Sequence, residues 1–206
     1  MHNIITYYHI SEDFECVCYK NSQMSYDTHT HANHITIGFI LDGAVCITCG
    51  DQRYLYHVGD VFCILPDIPH AVESVKDQSY SMITICILVD RVSDKEDKEI
   101  SYSNKLKQFI LDAPENKFLL EDMAQSLGVS PYHMIRQFKR ACGLTPHQFL
   151  IQARVRKAQK LLEAGKSVIE AAYATGFCDQ SHFDRCFRKI VRLTPYEYKQ
   201  SVERLV

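Results

Sequence analysis

Residues 120–150 read LEDMAQSLGVSPYHMIRQFKRACGLTPHQFL, and residues 176–199 read GFCDQSHFDRCFRKIVRLTPYEYK. In the first stretch Met123, Ala124 and Leu127 recur at helical spacing up to Gly128, a residue suited to closing a helix. Ser130-Pro131 opens the next helix, with serine as N-cap and proline at the first helical position, where its missing N–H is no loss. Met134, Ile135 and Phe138 carry that helix to about Cys142, where Gly143 ends it. Thr145-Pro146 starts a further helix that runs to about Glu163 before Gly165. Two helices joined by a short turn, the second of them basic, form a helix-turn-helix pattern.

The second stretch repeats the first. Gly128 recurs as Gly176, 48 residues on, and past a one-residue insertion the offset is 49. His133 then matches His182, Arg136 matches Arg185, Phe138 matches Phe187, Lys139 matches Arg188, and Thr145-Pro146 matches Thr194-Pro195. The second unit is predicted as helices over 168–175 and 179–190 around the turn at Gly176-Phe177. Met134, Phe138, Phe183 and Phe187 have the spacing of a buried helix face. Arg154, Arg156, Lys157 and Lys160 on the connecting helix read as an ordinary solvated face.

Upstream, Leu106, Phe109 and Ile110 mark one more helix, which Pro114 ends. Before it, residues 90–99 (DRVSDKEDKE) form the most polar stretch of the chain and read as a linker. Residues 1–90 are predicted as one domain, 91–101 as the linker and 102–206 as an all-α domain.

The N-terminal part has the two-residue rhythm of strands. Candidates are 15–19, 34–41, 44–49, 52–58, 61–65 and 80–89, rich in Val, Ile, Thr, Tyr, Phe and Cys. Asp42-Gly43, Gly50-Asp51, Gly59-Asp60 and Pro66-Asp67 separate them, and Asp-Gly between apolar runs reads as a hairpin. Strands this close together, with no helix between them, predict a small barrel or double-sheet roll and an α+β two-domain chain. His29-x-His31 puts two imidazoles on one face of an extended segment, and His70 follows the Pro66–Pro69 turn. His34 has the wrong parity to join them unless the chain turns near Ala32-Asn33.

Charge divides the chain the same way. Its 206 residues carry a net charge of −2, yet residues 1–100 hold six basic and fifteen acidic side chains, and the remainder seventeen and ten. A basic helical half fits a polyanion. Hydrophobic residues at 46 % and charged residues at 23 % suit a globular protein, and no apolar run is long enough to span a bilayer. The N-terminus lacks the pattern of a secretion signal, so a cytoplasmic location is expected. Nine cysteines, an odd number, then read as free thiols in a reducing compartment. Cys46-x-x-Cys49 has zinc-like spacing, but residues three apart on a strand face opposite ways.

The two C-terminal stretches, with the chain around them over about 103–200, resemble the double helix-turn-helix DNA-binding domain of AraC/XylS-type transcription regulators. HTHANHITIGFILDG (29–43) and GDVFCILPDIPH (59–70) resemble the cupin-type sensor domain of the same family. The resemblance implies a regulator that binds double-stranded DNA, contacts RNA polymerase and answers to a small effector in its N-terminal barrel. On the first recognition helix it assigns Tyr132, Ile135 and Arg136 to the major groove, with Ser130 and Pro131 near phosphate and Lys139 on phosphate. On the second it assigns Gln180, Ser181, Asp184 and Arg185 to bases, and Lys189 is a further candidate DNA-binding residue. Arginine reads guanine O6 and N7 bidentately, whereas lysine on phosphate positions without specifying. A connecting helix that held the units about 34 Å apart would bring both to one face of the duplex.

In cupin enzymes the two sensor motifs supply three histidines and a carboxylate to a metal. Here no carboxylate follows His31 at the matching spacing, and His34 is the only replacement. His29, His31, His70 and His34 therefore stand either as polar groups for an organic effector or as ligands for a divalent transition metal such as Zn, Fe, Ni or Cu. A cupin enzyme fused to a DNA-binding module is the third alternative, though no nucleophile–base pair is present. Arg192 departs from the family pattern, in which glycine is common. The chain leaves little room for a dedicated dimerisation helix, and a homodimer formed through the barrel stays open without following from the sequence.

Overall fold

The computed structural model describes residues 4–11, 14–76, 78–89, 98–116, 120–126 and 128–204. Leu119, Leu127 and most of the predicted linker, 90–97, lie outside them. The chain divides into two compact units, residues 1–91 with 200–206 and residues 92–199.

The first unit holds β1 (Ile4–Ser11), β2 (Phe14–Ser22), β3 (Tyr26–His29), β4 (His34–Asp42), β5 (Ala44–Cys49), β6 (Gln52–His57), β7 (Val61–Ile64), β8 (His70–Ser74), β9 (Tyr80–Leu88) and β10 (Val202–Arg204). They form two sheets, a six-stranded one ordered β10-β1-β2-β9-β4-β7 and a four-stranded one ordered β3-β8-β5-β6. This is the predicted double-sheet roll. Alternation drives it: Tyr80, Met82, Thr84 and Cys86 of β9 are buried, and their neighbours are less so. Ile40, Val45, Ile47, Phe62, Ile64, Val72, Tyr80 and Met82 make one core between the sheets. Gly38 is required there, because a Cβ on it would sit 2.0 Å from the ring of Phe62. Burial pushes the Tyr80 phenol up to about 12, and its hydroxyl donates to the carbonyl of Met24.

Two expectations fail in this unit. Asp42-Gly43 is not a hairpin turn, since β4 and β5 belong to different sheets. It is a corner, where Gly43 takes φ +70° and a Cβ on it would sit 2.1 Å from the carbonyl oxygen of Ser79. Gly50-Asp51 does form a two-residue hairpin, closing the Cys49↔Gln52 pair. Gly50, at φ +59°, takes the first central position, where type II′ turns place glycine. The predicted all-α domain also does not run to residue 206, because β10 leaves it and pairs in parallel with β1 through Tyr7↔Val202.

The second unit contains α1 (Lys98–Asp112), α2 (Leu120–Ser126), α3 (Pro131–Cys142), α4 (Pro146–Glu163), α5 (Val168–Ala174), α6 (Gln180–Val191) and α7 (Pro195–Ser201). Helix α1 begins inside the predicted linker. Leu106 and Ile110 of α1 are buried as their spacing requires, but Phe109 is 49 % exposed, one position off that face. Helix α4 packs against α1, α3, α5 and α6, so it ties the two helix-turn-helix units together.

Candidate nucleic-acid interface and effector site

The sequence repeat is a repeat of local hydrogen bonding. Ser130 caps α3 by accepting from the backbone N–H of His133, and Asp179 caps α6 by accepting from that of His182. Met134, Phe138 and Cys142 are buried on α3, and Phe183, Phe187 and Val191 on α6. Gly143 ends α3 at φ +70°, and Arg192 ends α6 at φ +66°. Thr145 and Gln148 then form a capping box at α4, and Thr194 and Glu197 bond the same way at α7. Local chemistry alone thus sets both recognition helices at the same point after their turns.

Burying one face leaves the other exposed. Ser130, Pro131, Tyr132, Arg136 and Lys139 are exposed on and before α3, with Ile135 half-buried beside them. Gln180, Ser181, Arg185 and Lys189 are exposed on α6. Tyr132, at 75 % exposed, is a large aromatic with no packing role in the domain core. Asp184 differs. It is half-buried, its Oδ1 is shielded without a hydrogen-bond partner, and burial raises its carboxyl above the usual range. Asp179 is held below that range, chiefly by the N–H of His182 and then by the Cys178 thiol. Lys139 and Arg140 close α3 and Arg188 and Lys189 close α6, where cations favour the helix dipole.

Arg154 is not the solvated residue its neighbours in sequence suggest. Its guanidinium donates to three backbone carbonyls, Pro114 at 2.7 Å, Gly176 at 2.7 Å and Asn116 at 3.1 Å. Lys157, one turn on, donates to Glu115 at 2.6 Å and draws that carboxyl below its usual range. These contacts lock α4 to the segment before α2 and to the turn before α6. No motif announces them, since the acceptors are backbone groups distant in sequence.

In the barrel the structure brings together His29, His31 and His70, whose nearest ligand atoms all lie within 4.8 Å of one another. The ring centroids of His29 and His70 are 4.3 Å apart, and those of His31 are 5.2 Å and 5.3 Å from them. His29 and His70 are partners across the β3–β8 ladder, and His31 follows from the turn before β4. His70 is 2 % exposed, and the other two are half-buried. The Nδ1 of His29 lies 2.8 Å from the carbonyl of Asp27, and that of His70 lies 2.9 Å from the carbonyl of Ile68. A carbonyl only accepts, so each Nδ1 carries a proton. His34 is not brought into the group, although the chain does turn at Asn33, with φ +59°. It opens β4 in the opposite sheet, with Nδ1 2.6 Å from the carbonyl of Ala32. Cys46 points away from the interior, its sulfur taking the Nε–H of Arg53 at 2.7 Å, so Cys46 and Cys49 make no joint site.

The comparisons with known proteins cover both units. A helix-turn-helix domain model matches residues 123–201, and a cupin domain model matches residues 16–86. The chain is 26 % identical over 235 residues to an HTH-type transcriptional regulator, YbfI, of Bacillus subtilis, covering 82 % of this chain and 85 % of that one. It is 31 % identical over 118 residues to an HTH-type regulator encoded in the cgkA 5′ region of Pseudoalteromonas carrageenovora, covering 54 % and 70 %. Against MtrA of Neisseria gonorrhoeae, at 28 % identity, it spans 42 % of the relative's length. In structure it is similar to unsaturated fatty acid-bound ToxT of Vibrio cholerae, with a TM-score of 0.64 over 93 % of this chain and 96 % of that one, at 13 % identity. That likeness concerns the fold. Among the described residues no helix is long and apolar enough to cross a membrane. With a cupin-type roll followed by two capped helix-turn-helix units in register, this chain belongs to the AraC-type family of helix-turn-helix transcription regulators.

Proposed function

We infer that the exposed faces of α3 and α6 read duplex DNA, and that a small effector held at the mouth of the barrel sets how well they do so. The observation that carries this reading is the matched pair of capped recognition helices, each with an exposed arginine at the same position, Arg136 and Arg185. A bidentate arginine on guanine is worth about 1–3 kcal/mol of discrimination. Ile135 fits a thymine methyl. Lys139 and Lys189 fit phosphates, and Ser130, Pro131, Gln180 and Ser181 lie at helix N-termini suited to backbone or base-edge contact. Asp184, with one oxygen turned inward, serves better to orient Arg185 than to accept from cytosine.

The effector site in this reading is the His29–His31–His70 cluster, where polar groups converge beside an apolar core. ToxT, which shares the fold, has been crystallised with an unsaturated fatty acid, which supports a roll of this kind taking a small ligand. The reading assigns no catalytic step to the barrel. It places the protein in the cytoplasm, with RNA polymerase as the partner through which bound DNA is used and any homodimer formed through the barrel.

The test is fluorescence anisotropy with a duplex selected by the chain against a scrambled duplex at physiological salt. At least a thousandfold preference is expected. Equal affinity for the two duplexes would contradict sequence-specific regulation.

A further inference from the structure

The two helix-turn-helix units differ behind their recognition helices. In each turn one backbone N–H closes on the same carbonyl, Val129 on Ala124 at 3.0 Å and Phe177 on Ala172 at 3.2 Å, so Val129 and Phe177 hold equivalent places. Past the insertion, Met134 stands where the second unit has Phe183. In the second unit these places hold packed rings. The Phe177 and Phe183 centroids are 5.1 Å apart, and Phe177 meets His182 edge-on at 5.4 Å. The first unit carries neither ring. A cavity of about 120 Å³ opens there between α1 and α3, with Ser103, Leu106, Val129, His133, Gln137 and Phe138 on its wall.

The size and chemistry of this cavity narrow its ligand. Protein interiors keep few voids larger than a water molecule, because unfilled volume forfeits packing. An apolar cavity of about 150 Å³ is enough to hold benzene, and this one is of that order. One polar group lies inside. Ser103 is 4 % exposed, and its hydroxyl has no hydrogen-bond partner among the described residues. A hydroxyl both donates and accepts. No Asp, Glu, Lys or Arg lines the cavity, so a charged ligand would lose its hydration without an ion partner. The exposed His133 and half-buried Gln137 form its solvent side.

We propose that this cavity binds one small neutral aromatic molecule, a single ring bearing one hydroxyl or amino group. The ring takes the place that Phe177 and Phe183 fill in the second unit, and its polar group pairs with the Ser103 hydroxyl. The site is separate from the barrel and stands independently of the barrel-mouth reading. It adds a ligand input directly behind the first recognition helix, whose buried Met134 and Phe138 back onto it. Helix α1 packs against α3, so a ring seated between them adds contacts to both that the empty cavity lacks. A ligand that binds only the folded state raises its stability. The second recognition helix has its own rings in place and needs none.

The experiment titrates the full chain into 4-fluorophenol and, separately, into fluorobenzene, followed by fluorine NMR line broadening. Wild type, Ser103→Ala and Val129→Phe are compared. Wild type is expected to bind 4-fluorophenol saturably at one site with a Kd of about 1 mM or tighter, well inside the affinity that a ligand of this size can reach. Ser103→Ala should weaken 4-fluorophenol about fivefold and leave fluorobenzene unchanged, since only the hydroxyl pairing is lost. Val129→Phe restores the ring that the second unit carries. It should abolish binding of both probes and raise the thermal midpoint. No saturable binding by folded wild type would overturn the proposal. Undiminished binding by Val129→Phe would overturn it too, by placing the probe elsewhere, the barrel included. A Ser103→Ala variant that weakens both probes equally, or neither, would overturn the assigned hydroxyl pairing and with it the class of ligand. If Val129→Phe fails to fold, as its midpoint would reveal, the split between the two probes in Ser103→Ala decides the matter.

Discussion

Arg154, on the helix between the two helix-turn-helix units, donates through Nη1 to the carbonyl of Gly176 in the turn of the second unit at 2.7 Å. The same turn presses on residue 115 so closely that a Cβ on Gly176 would lie 2.5 Å from the carbonyl oxygen of Glu115. One guanidinium thus ties α4 both to the segment before α2 and to the turn before α6. Arg154→Ala leaves three carbonyls to find other partners and should cost about 2–4 kcal/mol in urea unfolding, at about 1.5–3 kcal/mol per charge-assisted bond reduced by solvent access. Arg154→Lys should recover little of this, because an ammonium lacks the planar fork that spans separate acceptors. An unfolding midpoint for Arg154→Ala equal to wild type would refute the locking role.

Arg192 ends α6 in the left-handed region that Gly143 occupies at the end of α3. A side chain there costs about 1–2 kcal/mol that glycine avoids. Arg192→Gly should therefore raise the stability of the helical unit by about 1 kcal/mol, read as a higher urea midpoint at unchanged slope. A lowered midpoint would mean that the Arg192 side chain contributes more than its backbone strain costs.

The helical unit should also lose stability in acid. Asp179, Glu170 and Glu197 all sit below their ordinary range because backbone N–H groups at the starts of helices donate to their carboxylates, with Glu115 lowered beside Lys157. A carboxyl depressed in the folded state stabilises it above the unfolded pKa, and the contribution is lost as pH falls through the folded value. Thermal stability should thus fall once pH drops below the usual carboxylate range. Asp179→Asn keeps a capping acceptor and should flatten part of that fall. An identical acid profile for the variant would contradict the assignment.

Phosphate contacts have a separate signature. Lys139→Ala and Lys189→Ala should weaken binding to selected and scrambled duplexes alike, and each should reduce the slope of log affinity against log salt by about 1. A change confined to the selected duplex would move that lysine from phosphate to base.

The helical half was legible because its signals are local. Caps at Ser130, Asp179, Thr145 and Thr194 lie within three residues of the N–H groups they serve, and the buried Met134, Phe138, Phe183 and Phe187 repeat at the helix period. The barrel was legible as strands but not as sheets. Asp42-Gly43 has hairpin chemistry, yet whether a strand returns to its neighbour or crosses to the other sheet is decided by packing, here by Gly43 against Ser79. Strands β1 (IITYYHIS), β3 (YDTH) and β8 (HAVES) were missed, the last two because polar residues interrupt the apolar rhythm. Those two strands supply His29 and His70. The sequence marked the histidines by spacing, but it could not show that His29 and His70 are direct partners, because that comes from register.

The central claim is that two equivalent recognition helices read DNA from a single chain. Selection of bound duplexes from a random pool by wild type, Arg136→Ala and Arg185→Ala tests it most directly. Wild type should enrich two short motifs centred about 10–10.5 base pairs apart, and each variant should lose the guanine preference in one motif while keeping the other. A single motif from wild type, or the same pair of motifs from all three proteins, would contradict it.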